Sequence, residues 1–193
     1  PGVDTQTLVT HAYNTAVEAL NGTRNVLDPD AIDHAATLLQ RARQVYCLGQ
    51  GGSQVLAEDI WARFSMISTK FRTAGDSHMQ AITASLMGPE DVLLFVSYSG
   101  STRDMMDTLR LAKENGAKVI LITHYDDPPG VALADVVLLC GAQENPLDSG
   151  SIPAKLAMLF VANVLVLRYT LDNQELANLS LSRTSQALGC KLL

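Results

Sequence analysis

The chain has 193 residues, 47% of them apolar and 18% charged, with a formal net charge of −6. That length holds one ordinary domain with a sizeable core, and the composition excludes a disordered chain. The 14 basic residues face 20 acidic ones and form no run, a balance that repels phosphate backbones and excludes a self-sufficient nucleic-acid binder.

The opening residues are polar, so no signal peptide is visible and a cytoplasmic protein is expected. A first helix is predicted over Thr5 to Leu20, with Leu8, Ala12, Ala16, Ala19 and Leu20 at helical spacing. Asp28-Pro29 supplies an N-cap and a first-turn proline for a second helix, whose inner face is Ile32, Ala35, Ala36, Leu39 and Ala42. Short apolar runs then read as buried strands: Val45 to Leu48, Phe71 to Ala74, Val92 to Val96, Val119 to Thr123 and Val136 to Cys140. Helices fall between most of them, at Ser53 to Ile67, Ser77 to Leu86 and Thr102 to Asn115, the last closed by Gly116.

Beyond the last strand lies a polar loop, Gly141 to Ser151, and then a helix over Ile152 to Leu171. Its most apolar stretch, Leu156 to Leu167, is 12 residues, short of the roughly 20 that a membrane helix needs, and reads as a core helix. Asp172-Asn173 interrupts it before a last amphipathic helix, with Leu176, Leu179 and Ala187 expected to face inward. Strands apolar throughout and alternating with helices imply an α/β fold: a three-layer sandwich around a five-stranded parallel sheet, with helices on both faces. We expect one domain over 1–193, with N-terminal helices over 5–43, the sheet core over 45–140 and C-terminal helices over 152–188. No DNA-binding domain is read in it. The three cysteines make no disulfide framework. Cys47 and Cys140 read as buried small hydrophobes and Cys190 as a bystander.

Two loops carry the chemistry. The first strand ends in Gly49-Gln50-Gly51-Gly52-Ser53 and leads into a helix. Glycines allow a close backbone approach to a ligand, and a helix start presents N–H groups to an anion. Gln54 occupies the third glycine position of a dinucleotide fingerprint, so that reading is set aside. Two accounts of the loop stand, an anion cradle and a turn that merely needs glycine. The third strand ends in Ser97-Tyr98-Ser99-Gly100-Ser101-Thr102-Arg103, also at a helix start. One hydroxyl there is an N-cap, whereas Ser97, Ser99, Ser101 and Thr102 together exceed what capping requires and suit a phosphate monoester. Arg103 either assists or points to solvent. With strand order 2-1-3-4-5 both loops flank the topological switch point, where open α/β sheets bind ligands.

At these residues the sequence resembles a SIS (sugar isomerase) domain, a flavodoxin-like arrangement, and more narrowly the effector-binding domain of RpiR-type bacterial transcriptional regulators. The resemblance runs over roughly Leu27 to Leu171. It is carried by Gly49-x-Gly51-x-Ser53, Asp76-Ser77-His78-Met79-Gln80, Gly88-Pro89-Glu90-Asp91-Val92, Ser97-x-Ser99-Gly100-x-Thr102 and Ala112-Lys113-Glu114-Asn115-Gly116-Ala117. It implies a phosphorylated sugar or sugar acid as ligand, its phosphate on Ser97, Ser99, Ser101 and Thr102, with Gly51 and Ser53 lining the adjoining sugar site. It also implies a homodimer or homotetramer. DNA would be met only through an N-terminal helix-turn-helix domain outside these residues, controlling carbohydrate metabolism genes.

The alternative is a stand-alone sugar-phosphate isomerase, which requires a positioned general base. Glu144, Asp148, His78 and His124 are the candidates, with Glu144 best placed in sequence. A third reading is an interaction module with a vestigial pocket. The sequence calls for no cofactor, no metal and no membrane. Specificity is assigned to the Gly75 to Gln80 segment, the Gly141 to Ser151 loop and a neighbouring subunit. The shortage of cations suits a phosphate site built from helix ends and hydroxyls instead of a lysine cluster.

Overall fold

In the computed structural model, which describes residues 3–141 and 151–189, five parallel strands form one sheet. They are β1 (Gln44–Gly49), β2 (Phe71–Arg72), β3 (Asp91–Val96), β4 (Lys118–Thr123) and β5 (Val136–Leu139), in the order β2-β1-β3-β4-β5. The helices are α1 (Thr5–Val26), α2 (Pro29–Arg41), α3 (Gly52–Ser65), α4 (Ser77–Ser85), α5 (Arg103–Glu114), α6 (Ile152–Asp172) and α7 (Gln174–Gly189). Strand side chains alternate between faces. Val45, Cys47, Leu94 and Ile122 enter the core under α2, α3 and α6. Leu93, Phe95, Val119 and Leu121 enter the core under α4 and α5. This is the three-layer α/β sandwich and strand order expected above.

The registers set up the site. Gly49 pairs with Val96, and Val96 with Ile122, so the carboxyl ends of β1 and β3 finish level. β2 is shorter than its apolar run. The carbonyl of Ala74 accepts from the side chains of Gln80 (3.2 Å) and Gln54 (3.3 Å) in place of a ladder partner. The first helix runs past Leu20 to Val26, because Thr23 is buried, its hydroxyl donating to Ala19 O (2.7 Å) and accepting from Gly141 N (3.1 Å).

By length and composition α6 is apolar enough to cross a membrane. In the fold it is a layer, burying Ala154, Ala157, Met158, Val161, Ala162, Leu165 and Tyr169. The expectation for α7 needs correction. Leu176 and Leu179 are 47% and 52% exposed, and Ala187 is exposed; Ala177 is the buried residue instead. Helical spacing identifies an apolar stripe but not what it meets: the less exposed side of α7 runs through Ala177, Ser180 and Thr184. Cys47 and Cys140 are buried as expected; Cys190 lies outside the described residues.

Candidate functional site

Two helices begin at the level carboxyl ends of β1 and β3. α1, α2, α4 and α6 each start with a side chain accepting from a first-turn N–H, namely Asp4, Asp28, Asp76 and Ser151. α3 and α5 begin at Gly51 and Thr102 with no side-chain cap hydrogen bond among the described residues. Their N-termini therefore keep a partial positive charge available to an external anion.

Glycine makes both turns possible. Gly51 has φ +55 and ψ −127. A Cβ on Gly49 would stand 2.6 Å from Ser53 O, so the start of α3 could not close over the strand end. Gly100 has φ +60, and a Cβ there would meet Pro128 Cγ at 2.5 Å and Thr123 Oγ1 at 3.0 Å. The turn holds itself, with Gly100 N donating to Ser97 Oγ at 3.2 Å.

Between these turns is a cavity of about 190 Å³. Its polar wall is Gln50, Ser53, Ser97, Ser99, Thr102 and Lys155, and its floor includes Phe95, Val96 and Met158. Of the residues singled out in the sequence, Ser53, Ser97, Ser99 and Thr102 meet here. Ser53 stands with the hydroxyl loop, on the side where only the phosphate was expected. Gly51 lines a neighbouring cavity of about 410 Å³ together with Gly49, Gln50, Gln54, Gly75, Asp76, Ser77, Gln80 and Asp104. Ser101 is exposed and lines neither of these two cavities.

Lys155 was missed as a site residue. It sits in the first turn of α6, half-buried, with its Cε 3.6 Å from where a Cβ on Gly52 would be. It makes no ion pair among the described residues, so the wall does contain one cation. The signal existed, since Lys155 is the sole lysine or arginine between 119 and 167. Its partners, however, lie more than 50 residues away in sequence, as in Ser97 and Ser53.

The other candidates fall elsewhere. His78 and Arg103 are exposed, and neither lines the hydroxyl cavity. His124 is half-buried, with Nδ1 2.8 Å from Cys140 O and its ring stacked on Tyr98 at 4.9 Å between centroids. That contact makes the imidazole a support for Tyr98, which lines the cavity. Glu144 and Asp148 lie outside the described residues. Among the described residues no group of three His, Cys, Asp or Glu could hold a metal ion.

A family model for the SIS domain matches residues 38–168. The chain belongs to the SIS domain family. The HTH-type transcriptional regulator RpiR of Escherichia coli K12 is 31% identical over 179 residues, covering 93% of this chain and 60% of the relative. The chain thus spans about three fifths of that regulator's length. The NanR protein of Vibrio vulnificus, solved in complex with ManNAc-6P, superposes with a TM-score of 0.92 at 24% identity, over 97% of this chain and 71% of that one. The sugar isomerase domain of an RpiR transcription factor from Sphaerobacter thermophilus gives 0.84 at 24% identity, over 93% of this chain and 98% of that one. Both structural likenesses show the SIS fold.

Proposed function

We propose that these residues form the sugar-phosphate-sensing, effector-binding domain of an RpiR-type transcriptional regulator of carbohydrate metabolism genes. One observation carries the reading: Ser53, Ser97, Ser99, Thr102 and Lys155 converge on one cavity between two helix starts that lack side-chain caps. Its volume of about 190 Å³ is below the roughly 300 Å³ at which drug-sized pockets begin, which suits a phosphoryl group. The Ser53, Ser97 and Ser99 hydroxyls and the first-turn N–H groups of α5 donate to the phosphate oxygens, and Lys155 supplies a point charge. The sugar lies towards Gly51. Ser101 lines neither cavity, and this reading gives it no ligand contact.

In this reading the protein is cytoplasmic and acts as a homodimer or homotetramer. DNA is contacted by a helix-turn-helix domain outside these residues. The name of the Escherichia coli relative supports that last point, because this chain spans 60% of it. Ligand binding changes the arrangement of the subunits and hence of the DNA-binding arms.

Thermal unfolding against pentose, hexose and N-acetylhexosamine phosphates tests the assignment. A midpoint that rises with ligand concentration is expected, by the mass-action law for a ligand of the folded state. Ser97→Ala/Ser99→Ala removes the rise, and its persistence would misplace the phosphate. Sedimentation of the same sample gives a mass above one chain; a strictly monomeric species overturns the oligomer. The isomerase alternative is decided by turnover: aldose–ketose conversion that disappears in Glu144→Gln would replace the sensor with an enzyme.

A further inference from the structure

The second cavity, between the starts of α3 and α4, has a different chemistry from the first, and one side chain joins them. Gln50 is a wall of both. Its amide orientation is dictated from below by Gln80, which is 1% exposed. Gln80 Nε2 faces three oxygens: Gly49 O at 2.8 Å, Gln54 Oε1 at 3.1 Å and Ala74 O at 3.2 Å. Only the NH₂ end of the amide can satisfy oxygens, so Gln80 Oε1 is turned towards Gln50 and accepts from its Nε2 at 3.5 Å. Gln50 Oε1 is then left facing Thr102, whose hydroxyl donates to it at 3.3 Å. At the junction of the two cavities Gln50 therefore presents the second lone pair of Oε1, beside the one amide N–H that Gln80 does not take.

The rest of the second cavity continues in the same sense. Among the described residues its charged side chains are Asp76 and Asp104, and no described lysine, arginine or histidine lines it. Asp76 accepts from Met79 N at 2.9 Å through one oxygen, which leaves the other. Neither carboxylate is in an ion pair among the described residues. The starts of α3 and α5 each offer roughly half a positive charge, which together do not offset two carboxylates. The start of α4 is already capped by Asp76. Such a wall receives hydroxyl donors and repels an anion.

We propose that this cavity takes the sugar end of the ligand and selects uncharged, hydroxyl-rich sugar phosphates against phosphorylated sugar acids, with Asp76 and Asp104 as the excluding groups. The proposal rests on the reading of the hydroxyl cavity as the phosphate site, and it narrows that reading. Selection here works against the wrong ligand, by an unpaired charge, as much as for the right one.

Calorimetric titration at low salt tests it with matched pairs: glucose 6-phosphate against 6-phosphogluconate, and ribose 5-phosphate against ribonate 5-phosphate. In at least one pair the aldose phosphate binds tenfold or more tighter than its acid. In Asp76→Asn/Asp104→Asn the gap closes to under threefold, chiefly because the acid binds more tightly. Asparagine caps a helix as well as aspartate and residue 104 is exposed, so the variant folds. Equal affinities within the pairs overturn the proposal, as does a gap that the variant leaves unchanged. Inorganic phosphate is titrated alongside. If phosphate binds and none of the four sugars does, the sugar end is misplaced and the proposal fails while the phosphate site stands. If phosphate and sugars all fail to bind, the phosphate site itself is wrong.

Discussion

At Gly100 the backbone takes φ +60 in space already filled by Pro128 and Thr123, whereas Gly51 takes φ +55 with none of the described residues within 4 Å of its missing Cβ. The two glycines separate two costs. Gly51→Ala carries backbone strain alone, about 1–3 kcal/mol. Gly100→Ala adds an overpacking cost of about 1–3 kcal/mol as the Pro128 ring is pushed aside. Denaturant midpoints check this: Gly100→Ala falls further than Gly51→Ala, and equal losses would remove Pro128 from the account. Gly100→Ala also displaces Ser99 and weakens sugar-phosphate binding. That glycine is needed in these loops is legible in sequence. Which of the two meets a neighbour is not, because Pro128 reaches Gly100 only through the packing of the loop after β4.

At the scale of elements, Asp135 ties together three pieces at the edge of the sheet away from β2. Its carboxylate accepts from Lys113 Nζ of α5 (2.7 Å), Lys118 Nζ of β4 (3.1 Å) and Val119 N (2.8 Å). Burial pushes its pKa up, but the bonds from Lys113, Val119 and Lys118 outweigh it and hold the group below the ordinary carboxylate value. A carboxyl whose folded pKa is lowered stabilises the fold above its unfolded pKa of about 3.9 and loses that contribution as pH falls through the folded value. Asp135→Asn is therefore less stable than the parent chain at pH 5–8, and the difference fades below about pH 4. Urea unfolding at pH 7 and pH 3 measures it; a constant difference at both would show that the charge is irrelevant. The amphipathic pattern located the inner face of α2 correctly, with Ile32, Ala35, Ala36 and Leu39 buried. It failed for α7, where Leu176 and Leu179 are exposed and Ala177 is buried.

For the whole molecule, the charge of −6 is borne by a sheet and helices whose chemistry gathers at one end. The hydroxyl cavity holds Lys155 as its cation, and the neighbouring cavity holds Asp76 and Asp104. This polarity suits a ligand with a phosphate at one end and hydroxyls at the other. It does not suit DNA. A mobility-shift assay with these 193 residues and duplex DNA at physiological salt should show no retarded band; specific retardation would assign the DNA contact to this domain and overturn the division of labour proposed above.

The sequence by itself determined the strands and the two loops that end the first and third of them, because apolar periodicity, glycine punctuation and hydroxyl spacing are local properties of the chain. The order 2-1-3-4-5 is expected only as the common one, and the structure has it. It also showed the resemblance to SIS domains, since those motifs are contiguous. Only the tertiary structure brought Lys155 of α6 beside Ser53 and Ser97, put Gly51 and Ser53 in different cavities, and turned the amide of Gln50 through Gln80. Those arrangements depend on where separate elements cross. Such crossings are set by packing on the two faces of the sheet, which no local spacing encodes.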